Sequence, residues 1–220
     1  MALMKKGAEA NLYLEPFSRV LHGGGQGQVV LKHRIQKRYR VEEIDHMLRR
    51  SRTSLESKLL SDAKRGGVPT PVVYEVDRDG TQIVMEYIDG AQVKKALESA
   101  APAKRRNICR TIGRLVARLH QAGMVHGDLT TSNMILAKDG KIYFVDFGLG
   151  EYDRSTEARG VDLHLLRRAL QSIHFRITEE AYRAVLSGYR KDFGRGAEEV
   201  IKRAEDIMRR GRYVRKEDRA

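Results

Sequence analysis

The chain has 220 residues, 41% of them hydrophobic, which is enough for one medium domain or two small lobes built around an apolar core. Its formal net charge is +13 and its sequence pI is about 10.0, an excess that favours a polyanionic partner such as nucleic acid, or an acidic protein surface. No apolar run reaches the roughly 18–20 residues of a membrane span, and the first residues lack the long apolar region of a signal peptide, so we expect a cytoplasmic protein.

The first forty residues are predicted to be mainly β-strand. Residues 11–15 alternate between apolar and polar side chains, and residues 28–32 form a second β-rich run. Our candidate phosphate loop is the turn of small residues just before residue 11, although it contains only one glycine. Its members are Gly7, Ala8, Glu9 and Ala10. The glycine-rich stretch 22–27 is instead predicted to be a flexible hairpin turn, because a strand and not a helix follows it.

Lys32 ends the second β-rich run. Alone it would be interpreted as an exposed strand lysine, but in a nucleotide site it would place a point charge on the phosphates. The apolar residues from 41 to 63 follow a helical pattern. Glu56 on this helix is our candidate partner for Lys32, because it precedes an apolar turn and can face the sheet. Glu42 and Glu43 are the alternatives.

A hairpin is predicted for residues 72–88, with its turn at Asp79-Gly80. The composition becomes helical beyond Asp89-Gly90, so we place a lobe boundary there. In this arrangement the backbone of Glu86, Tyr87 and Ile88 would contact the edge of an adenine, with Met85 behind it.

The remainder of the chain is predicted to be mostly helical. Helices are predicted at residues 105–121, 161–173, 178–190 and 197–209. Cys109 lies within the first of them, and we expect a buried thiol rather than a nucleophile. The predicted domains are an N-terminal lobe (1–88), a C-terminal lobe (89–208) and a basic, mobile tail (209–220).

Asp128 and Asn133 lie five positions apart in the stretch His-Gly-Asp-Leu-Thr-Thr-Ser-Asn, and Asp146 opens an Asp-Phe-Gly that follows a β-rich run. This order and spacing is typical of a kinase-type phosphoryl-transfer site. The Asp128 carboxylate would orient an acceptor hydroxyl or a water as the catalytic base. Mg²⁺ prefers oxygen ligands, which the Asn133 amide and the Asp146 carboxylate would supply. A lone Asp-Phe-Gly is often only a turn, but both halves in this order are far more specific.

Four stretches together resemble the Bud-type (p53-related) small atypical protein kinases of the KEOPS complex, and the resemblance covers nearly the whole chain. They are residues 37–40, 67–71, 126–133 and 146–149. The resemblance implies an α+β, minimal two-lobed protein-kinase-like fold, with a β-rich N-lobe, a mostly helical C-lobe and no long activation segment. It implies ATP and Mg²⁺ as cofactors. It also implies a serine/threonine kinase that acts mainly as an ATPase supporting threonylcarbamoylation of a tRNA adenosine.

The same resemblance implies further residues and partners. The implied partners are the KEOPS threonylcarbamoyl-transferase subunit, a small companion subunit and tRNA. Asp162 would brace the catalytic loop through backbone hydrogen bonds, and it is also a candidate N-cap for a helix starting at Leu163. Candidate contacts of the basic tail with tRNA or the modifying subunit are Arg210, Arg212 and Arg215. The family's basic string is matched at Arg210 and Arg212 but not at Tyr213 and Val214.

The chain departs from ordinary kinases near the catalytic loop. Gly127 stands where they have the arginine that receives a phosphorylated activation loop, and only about a dozen residues separate Gly148 from Asp162. Thr130 replaces a lysine, which removes a positive charge from the transferring phosphoryl group. Ser155 and Thr156 are candidate autophosphorylation sites, although they are equally well explained as ordinary surface-loop residues.

Two other functions remain open from the sequence. The basic clusters favour a tRNA-binding or scaffolding subunit with a structural nucleotide, although a solvated arginine-rich surface would give the same charge. A small-molecule phosphotransferase is a third candidate, since His-Gly-Asp-Leu loops also occur there. Those enzymes usually carry an extended helical region for their substrate, and this C-terminal segment is short.

Overall fold

The computed structural model of the protein describes residues 2–20 and 27–212. The N-terminal part is a five-stranded antiparallel sheet with the order β1-β2-β3-β5-β4. Its strands are β1 (Ala2–Lys6), β2 (Ala10–Pro16), β3 (Gln28–Arg34), β4 (Val73–Asp77) and β5 (Gln82–Glu86), with helices α1 (Phe17–Val20) and α2 (Glu42–Arg65). The prediction of a hairpin turn at the glycine-rich stretch falls almost entirely on residues 21–26, which lie outside the described residues.

Strand β3 lies in the centre of the sheet between β2 and β5. Val29 and Leu31 pack on one face, while Val30 joins the main core on the other. Because side chains alternate along a strand, Lys32 and Arg34 share the face of Val30, which is the face towards α2. This central position buries both cations in the sheet–helix layer, with 5% and 3% of their surface exposed.

Helix α2 confirms the helical pattern predicted for residues 41–63. It buries one face that includes Glu56, Leu59 and Leu60. It ends at Arg65 with Gly66 as its C-cap, and Gly67 follows with φ +80°, a conformation that glycine adopts without strain. The hairpin predicted for residues 72–88 is confirmed as the antiparallel pair β4–β5.

The C-terminal part consists mainly of helices, with short strands on both sides of residues 126–133. The helices are α3 (Val93–Ser99), α4 (Pro102–Gln121), α5 (Thr156–Ile173), α6 (Thr178–Phe193) and α7 (Ala197–Arg212). The strands β6 (Gly90–Gln92), β8 (Met134–Ala137) and β9 (Ile142–Phe144) form one sheet, and β7 (Met124–Val125) pairs with β10 (Glu151–Tyr152). Thr131–Asn133 form a 3-10 turn.

Helices α4 and α6 form the centre of this part because two glycines let their backbones approach closely. A Cβ on Gly113 would lie 1.9 Å from the carbonyl oxygen of Val185, and a Cβ on Gly188 would lie 1.9 Å from that of Arg110. Any larger residue at either position would force the helices apart. Cys109 is fully buried beside this contact, as predicted, and burial raises the pKa of its thiol to about 12.

The four predicted C-terminal helices are all present, but four of their boundaries were wrong. Helix α4 begins at Pro102 and helix α6 ends at Phe193, each three residues beyond the predicted end. Helix α5 begins at Thr156, five residues before the predicted start at 161. Helix α7 continues to Arg212, so residues 209–212, predicted to open a mobile tail, are helical. Helix α3 and strands β6 and β10 were not predicted, because each is too short to show a clear period. In the described part of the chain, no helix combines the length and apolarity that crossing a membrane requires.

Candidate functional site

Lys32 on β3 contacts two carboxylates from different parts of the chain. Its Nζ lies 2.6 Å from Glu56 Oε1 on α2 and 2.6 Å from Asp146 Oδ1, which follows β9. Glu56 is 1% exposed, whereas 48% of the Asp146 side chain is exposed. The structure therefore brings three of the predicted site residues together, with Glu56 rather than the exposed Glu42 or Glu43 beside the lysine.

Electrostatics keep these groups charged. Burial alone would lower the pKa of Lys32, but the carboxylates of Glu56 and Asp146 outweigh it, so the pKa is raised. Partial burial would raise the pKa of Asp146, but the Lys32 ammonium outweighs this and the pKa is lowered. An ammonium and a carboxylate that are both ionised at neutral pH suit a site for nucleotide phosphates and a cation.

Asp128 and Asn133 belong to the loop between β7 and β8. The Asn133 side-chain nitrogen donates to Asp128 Oδ2 at 2.8 Å and to the Asp128 carbonyl at 3.0 Å. The Val145 N–H donates to the Asn133 carbonyl at 2.9 Å, and Met134 pairs with Phe144 across the β8–β9 ladder. This pairing places the loop next to Asp146, so the two halves of the motif meet although thirteen positions separate Asn133 from Asp146.

These oxygens fit a Mg²⁺ ion that has few protein ligands. Because the Asn133 amide nitrogen is held by Asp128, its Oδ1 is the atom left to coordinate, together with the Asp146 carboxylate. Among residues 2–20 and 27–212 no cluster of three or more His, Cys, Asp or Glu residues forms a metal cage. Mg²⁺ is usually bound through one or two protein oxygens, with phosphates and waters completing its shell, whereas a structural Zn²⁺ needs four protein ligands.

Asp162 braces the loop that carries Asp128 and Asn133. Its carboxylate accepts backbone N–H groups of His126 at 2.6 Å and Gly127 at 2.9 Å, and its Oδ2 lies 3.3 Å from His120 Nε2. Burial would raise its pKa, but hydrogen bonds and charges from His120 and His126 outweigh this and lower it. The alternative role as an N-cap was wrong, because Asp162 lies inside α5 and Ser155 caps that helix by accepting from Ala158 N.

Gly127 has no space for a side chain. It has φ +74°, and a Cβ would lie 2.0 Å from the carbonyl oxygen of Leu149, in the segment after Asp-Phe-Gly. The backbone of this short segment therefore fills the space where ordinary kinases place an arginine. The substitution and the short segment are parts of one local arrangement, which the sequence alone could only suggest.

The candidate phosphate loop, Gly7 to Ala10, connects β1 and β2 at the edge of the sheet. Gly7 N–H donates to the Ala10 carbonyl at 3.0 Å, and Lys37 Nζ contacts the Ala8 carbonyl. The Glu9 carboxylate bonds Arg52 on α2, at 2.6 and 2.7 Å. The loop is thus tied to α2 through a side chain that the sequence analysis treated only as a member of the turn.

Arg34 is a functional candidate that sequence reasoning missed. Its Nη2 lies 2.6 Å from Glu56 Oε2, so Glu56 holds Lys32 with one oxygen and Arg34 with the other. The available signal was the i, i+2 spacing from Lys32 in a strand with apolar residues on both faces. A second cation two positions further along such a strand lies on the same face of the sheet and therefore faces the same helix.

The predicted adenine-binding segment spans the end of β5, with Met85 and Glu86 in the strand and Tyr87 and Ile88 directly after it. Met85 and Ile88 are buried, while Glu86 and Tyr87 are partly exposed. The Glu86 N–H donates to the Val72 carbonyl at 2.8 Å, and its carboxylate accepts from Val72 N at 3.0 Å. The Glu86 N–H is therefore engaged within the sheet, which leaves Tyr87 and Ile88 as the better sources of an amide for a base.

The predicted phosphorylation candidates, Ser155 and Thr156, lie at the start of helix α5. The Thr156 hydroxyl donates a hydrogen bond to Glu199 at 3.1 Å, and the Ser155 hydroxyl accepts one from Ala158 N–H at 3.1 Å. Both hydroxyl groups are therefore engaged within the fold. Arg210 is exposed near the end of α7. The side chain of Arg212 and the whole of Arg215 lie outside what the structure describes, so their predicted contacts stay predictions.

The profile of the lipopolysaccharide kinase (Kdo/WaaP) family matches residues 25–189. The chain is 49% identical over 217 residues to the KEOPS complex subunit Bud32 of Pyrococcus abyssi, covering 97% of this chain and 96% of that protein. It is 40% identical over 212 residues to a probable bifunctional tRNA threonylcarbamoyladenosine biosynthesis protein of Methanobrevibacter smithii, covering 96% of this chain but 37% of that longer protein.

A solved structure has the same fold at low sequence identity. The crystal structure of the Rio2 kinase-ADP/Mg²⁺-phosphoaspartate complex from Chaetomium thermophilum matches with a TM-score of 0.63 at 16% identity, covering 98% of this chain and 72% of that chain. The predicted α+β protein-kinase-like fold, with an antiparallel N-terminal sheet and a helical C-terminal part, is confirmed.

Proposed function

This chain belongs to the Bud32 family of atypical protein kinases, and from that premise we propose that it is a Mg²⁺- and ATP-dependent serine/threonine kinase. In its complex it acts mainly as an ATPase that supports threonylcarbamoylation of a tRNA adenosine. The observation that carries the proposal is the β8–β9 pairing, which brings the loop of Asp128 and Asn133 to Asp146, itself 2.6 Å from Lys32.

The side chains divide the reaction between them. Lys32, held by Glu56, binds the nucleotide phosphates with a fixed positive charge. Asp128 accepts the proton of the attacking hydroxyl or water as the γ-phosphoryl group leaves ADP. Asn133 and Asp146 would hold Mg²⁺, which would supply positive charge against the phosphates. At the other end of the cleft, the backbone of Tyr87 and Ile88 contacts the adenine, with Met85 behind it.

Hydrolysis dominates over protein phosphorylation because the site has little to hold a protein substrate. The segment after Gly148 is short, and its Leu149 backbone occupies the space beside Gly127. Thr130 offers no cation to an incoming phosphoryl group. Water can therefore act as the acceptor at Asp128, because it needs neither a docking segment nor an additional cation.

The names of two relatives support the proposed partners. One relative is named a KEOPS complex subunit, and another is a bifunctional tRNA threonylcarbamoyladenosine biosynthesis protein in which this chain corresponds to about a third of the length. We infer that a threonylcarbamoyl-transferase subunit binds this chain directly in the cytoplasm, together with a small companion subunit and tRNA.

An ATP turnover assay tests the proposal. ADP, free phosphate and phosphoprotein are measured for the purified chain alone, with the transferase subunit, and with that subunit and tRNA. We expect the partner to accelerate ADP formation, with free phosphate accounting for most of it. Lack of turnover in every mixture would refute the enzyme assignment, and a dominant phosphoprotein product would refute the ATPase role.

A tRNA-binding scaffold with a structural nucleotide remains the second candidate, supported by the net charge of +13. Many of the arginines are already paired within the fold, among them Arg49 with Asp45 and Arg106 with Glu180. This function predicts tRNA retention that weakens steeply with salt and survives the Asp128→Ala substitution. Filter binding across a salt series decides it, since lack of retention at low salt would remove the candidate.

A further inference from the structure

The guanidinium group of Arg34 lies at the metal-binding end of the candidate nucleotide site. A Cβ atom added to Gly148 would lie 3.3 Å from Arg34 Nη2 and 3.2 Å from Asp146 Oδ1. Arg34 and Asp146 therefore both border the same small space beside Gly148. Asp146 is the proposed Mg²⁺ ligand, so Arg34 is close to where the terminal phosphates of ATP would bind. In a site where Thr130 replaces the usual lysine, Arg34 is a cation placed to contact them.

Arg34 has unused capacity to donate hydrogen bonds. Its side chain is 3% exposed, and within the described residues its buried Nε has no acceptor. A buried donor without a partner is unfavourable and is uncommon in folded proteins. Glu56, the carboxylate that Arg34 bonds most closely, is shared with Lys32, so Arg34 does not have it alone.

Glu9 is the second carboxylate beside Arg34. Its Oε2 lies 3.5 Å from Arg34 Nη1 and 2.6 Å from Arg52 Nη1, and 43% of its side chain is exposed. Hydrogen bonds and charge from Arg52, with smaller contributions from Arg34 and Arg40, outweigh partial burial and lower the pKa of Glu9. A guanidinium group binds a carboxylate and a phosphate through the same paired N–H donors, so Glu9 occupies a site that would also suit a phosphate.

The backbone of the loop is held independently of the Glu9 side chain. Ala10 pairs with Arg34 across the β2–β3 ladder, Ile35 N–H donates to the Glu9 carbonyl at 3.3 Å, and Lys37 contacts the Ala8 carbonyl. Because these bonds involve only main-chain atoms of the loop, the carboxylate of Glu9 can turn away while the loop stays in place.

We infer that Arg34 and Arg52 form a phosphate-binding pair for the nucleotide and that the Glu9 carboxylate competes with the phosphate for it. This inference rests on the proposed function and deepens it, because it assigns the residues that contact the terminal phosphates. Glu9 holds the two guanidinium groups in position, and a bound nucleotide polyphosphate takes its place. Glu9 thereby sets how strongly the site prefers nucleotides with more phosphates.

Calorimetric titration with ATP, ADP and adenosine in the presence of Mg²⁺ tests the inference on the full chain. The Glu9→Gln variant should bind ATP about fivefold more tightly than the unmodified chain, since one competing charge a few ångström from the phosphates is removed. Its gain for ADP should be smaller, and its affinity for adenosine should not change. Glu42→Gln, which removes an exposed charge from the first turn of α2, is the matched control and should leave all three affinities unchanged.

The double variant distinguishes competition from simple repulsion. Arg52→Gln alone should weaken ATP binding, because it removes one of the two cations. If Glu9 competes for Arg52, then Glu9→Gln should improve ATP affinity less than about twofold in the Arg52→Gln background. Thermal unfolding of each variant checks that the fold is kept.

The possible outcomes separate this inference from the function on which it rests. If the unmodified chain binds ATP but Glu9→Gln leaves its affinity unchanged, or tightens adenosine equally, the inference is wrong and the function stands. If the gain is as large without Arg52 as with it, the competition is also refuted. If the unmodified chain does not bind ATP with Mg²⁺, both the inference and the proposed function fail.

Discussion

The two sides of the candidate nucleotide site are held together by different kinds of interaction. On the sheet side, the contacts are between side chains. Glu56 links Lys32 to Arg34 through two buried ion pairs of 2.6 Å. On the helical side, the main chain is held directly, since Asp162 accepts backbone N–H groups of His126 and Gly127 in the loop that carries Asp128.

This difference predicts different behaviour on the two sides. Backbone hydrogen bonds fix the path of the catalytic loop whether or not a ligand is present. A network of ionised side chains depends on its balance of charge, and a bound polyphosphate changes that balance. We therefore expect the helical side to be preset for catalysis and the sheet side to adjust when nucleotide binds.

The largest expected effect is on chemistry at the preset side. Asp128→Ala removes the proposed base and should lower ATP turnover about 10²- to 10⁴-fold. The thermal unfolding temperature should change little, because the side chain is only partly buried. Asp139→Ala, in the exposed turn between β8 and β9, is the control and should retain turnover. Turnover of Asp128→Ala at the unmodified rate would show that the base is misassigned.

The second prediction breaks the backbone support itself. Asp162→Ala leaves the N–H groups of His126 and Gly127 buried without their acceptor, and it should lower the free energy of unfolding by about 3 kcal/mol. Urea unfolding measures this loss. Asp79→Ala, at a turn where 81% of the side chain is exposed, should change stability by less than about 0.5 kcal/mol. Equal stability of the two variants would contradict the bracing role.

The third prediction concerns the adjustable side. Glu56→Gln keeps the shape of the side chain but leaves Lys32 and Arg34 without their shared charge, so stability should fall by about 2 kcal/mol. Saturating ATP with Mg²⁺ should recover more stability in this variant than in the unmodified chain, because phosphates supply the missing negative charge. Unfolding with and without nucleotide measures both effects, and Glu43→Gln serves as the exposed control. Equal recovery in both proteins would mean that the sheet side is also preset.

The smallest expected effect is a pH dependence of the helical side. Burial lowers the pKa of His126 despite nearby carboxylates, and burial also lowers that of His174, from an ordinary value of 6.5. The unfolded chain then binds more protons than the folded one as the pH falls through 6.5, so stability must decrease in that direction. We expect a loss of about 1 kcal/mol between pH 7.5 and 5.5.

Denaturant unfolding at the two pH values measures this loss. His174→Gln should reduce it, whereas His46→Gln, on a partly exposed position of α2, should not. An unchanged pH dependence in His174→Gln would show that the buried histidine does not contribute.

Local patterns predicted most of the longer helices and strands. The predicted helices and the β4–β5 hairpin are present because amphipathic periods and turn residues depend on near neighbours. Asp162 was predicted to brace the loop and was also a candidate N-cap, and the cap was wrong because it depended on where α5 begins. That start, at Ser155 and Thr156, has no apolar period before residue 161 to reveal it.

By itself, the sequence determined which residue types stand at which spacings: Asp128 five positions before Asn133, and Asp146 after a strand. The tertiary structure alone decided which charges meet. Lys32 contacts a partner 24 positions away on α2 and another 114 positions away after β9. The pairing of Glu9 with Arg52 and the sharing of Glu56 with Arg34 arise in the same way. Such contacts depend on how the sheet, the helix and the loop pack against one another. Sequence patterns among neighbouring residues predict local structure and do not predict that packing.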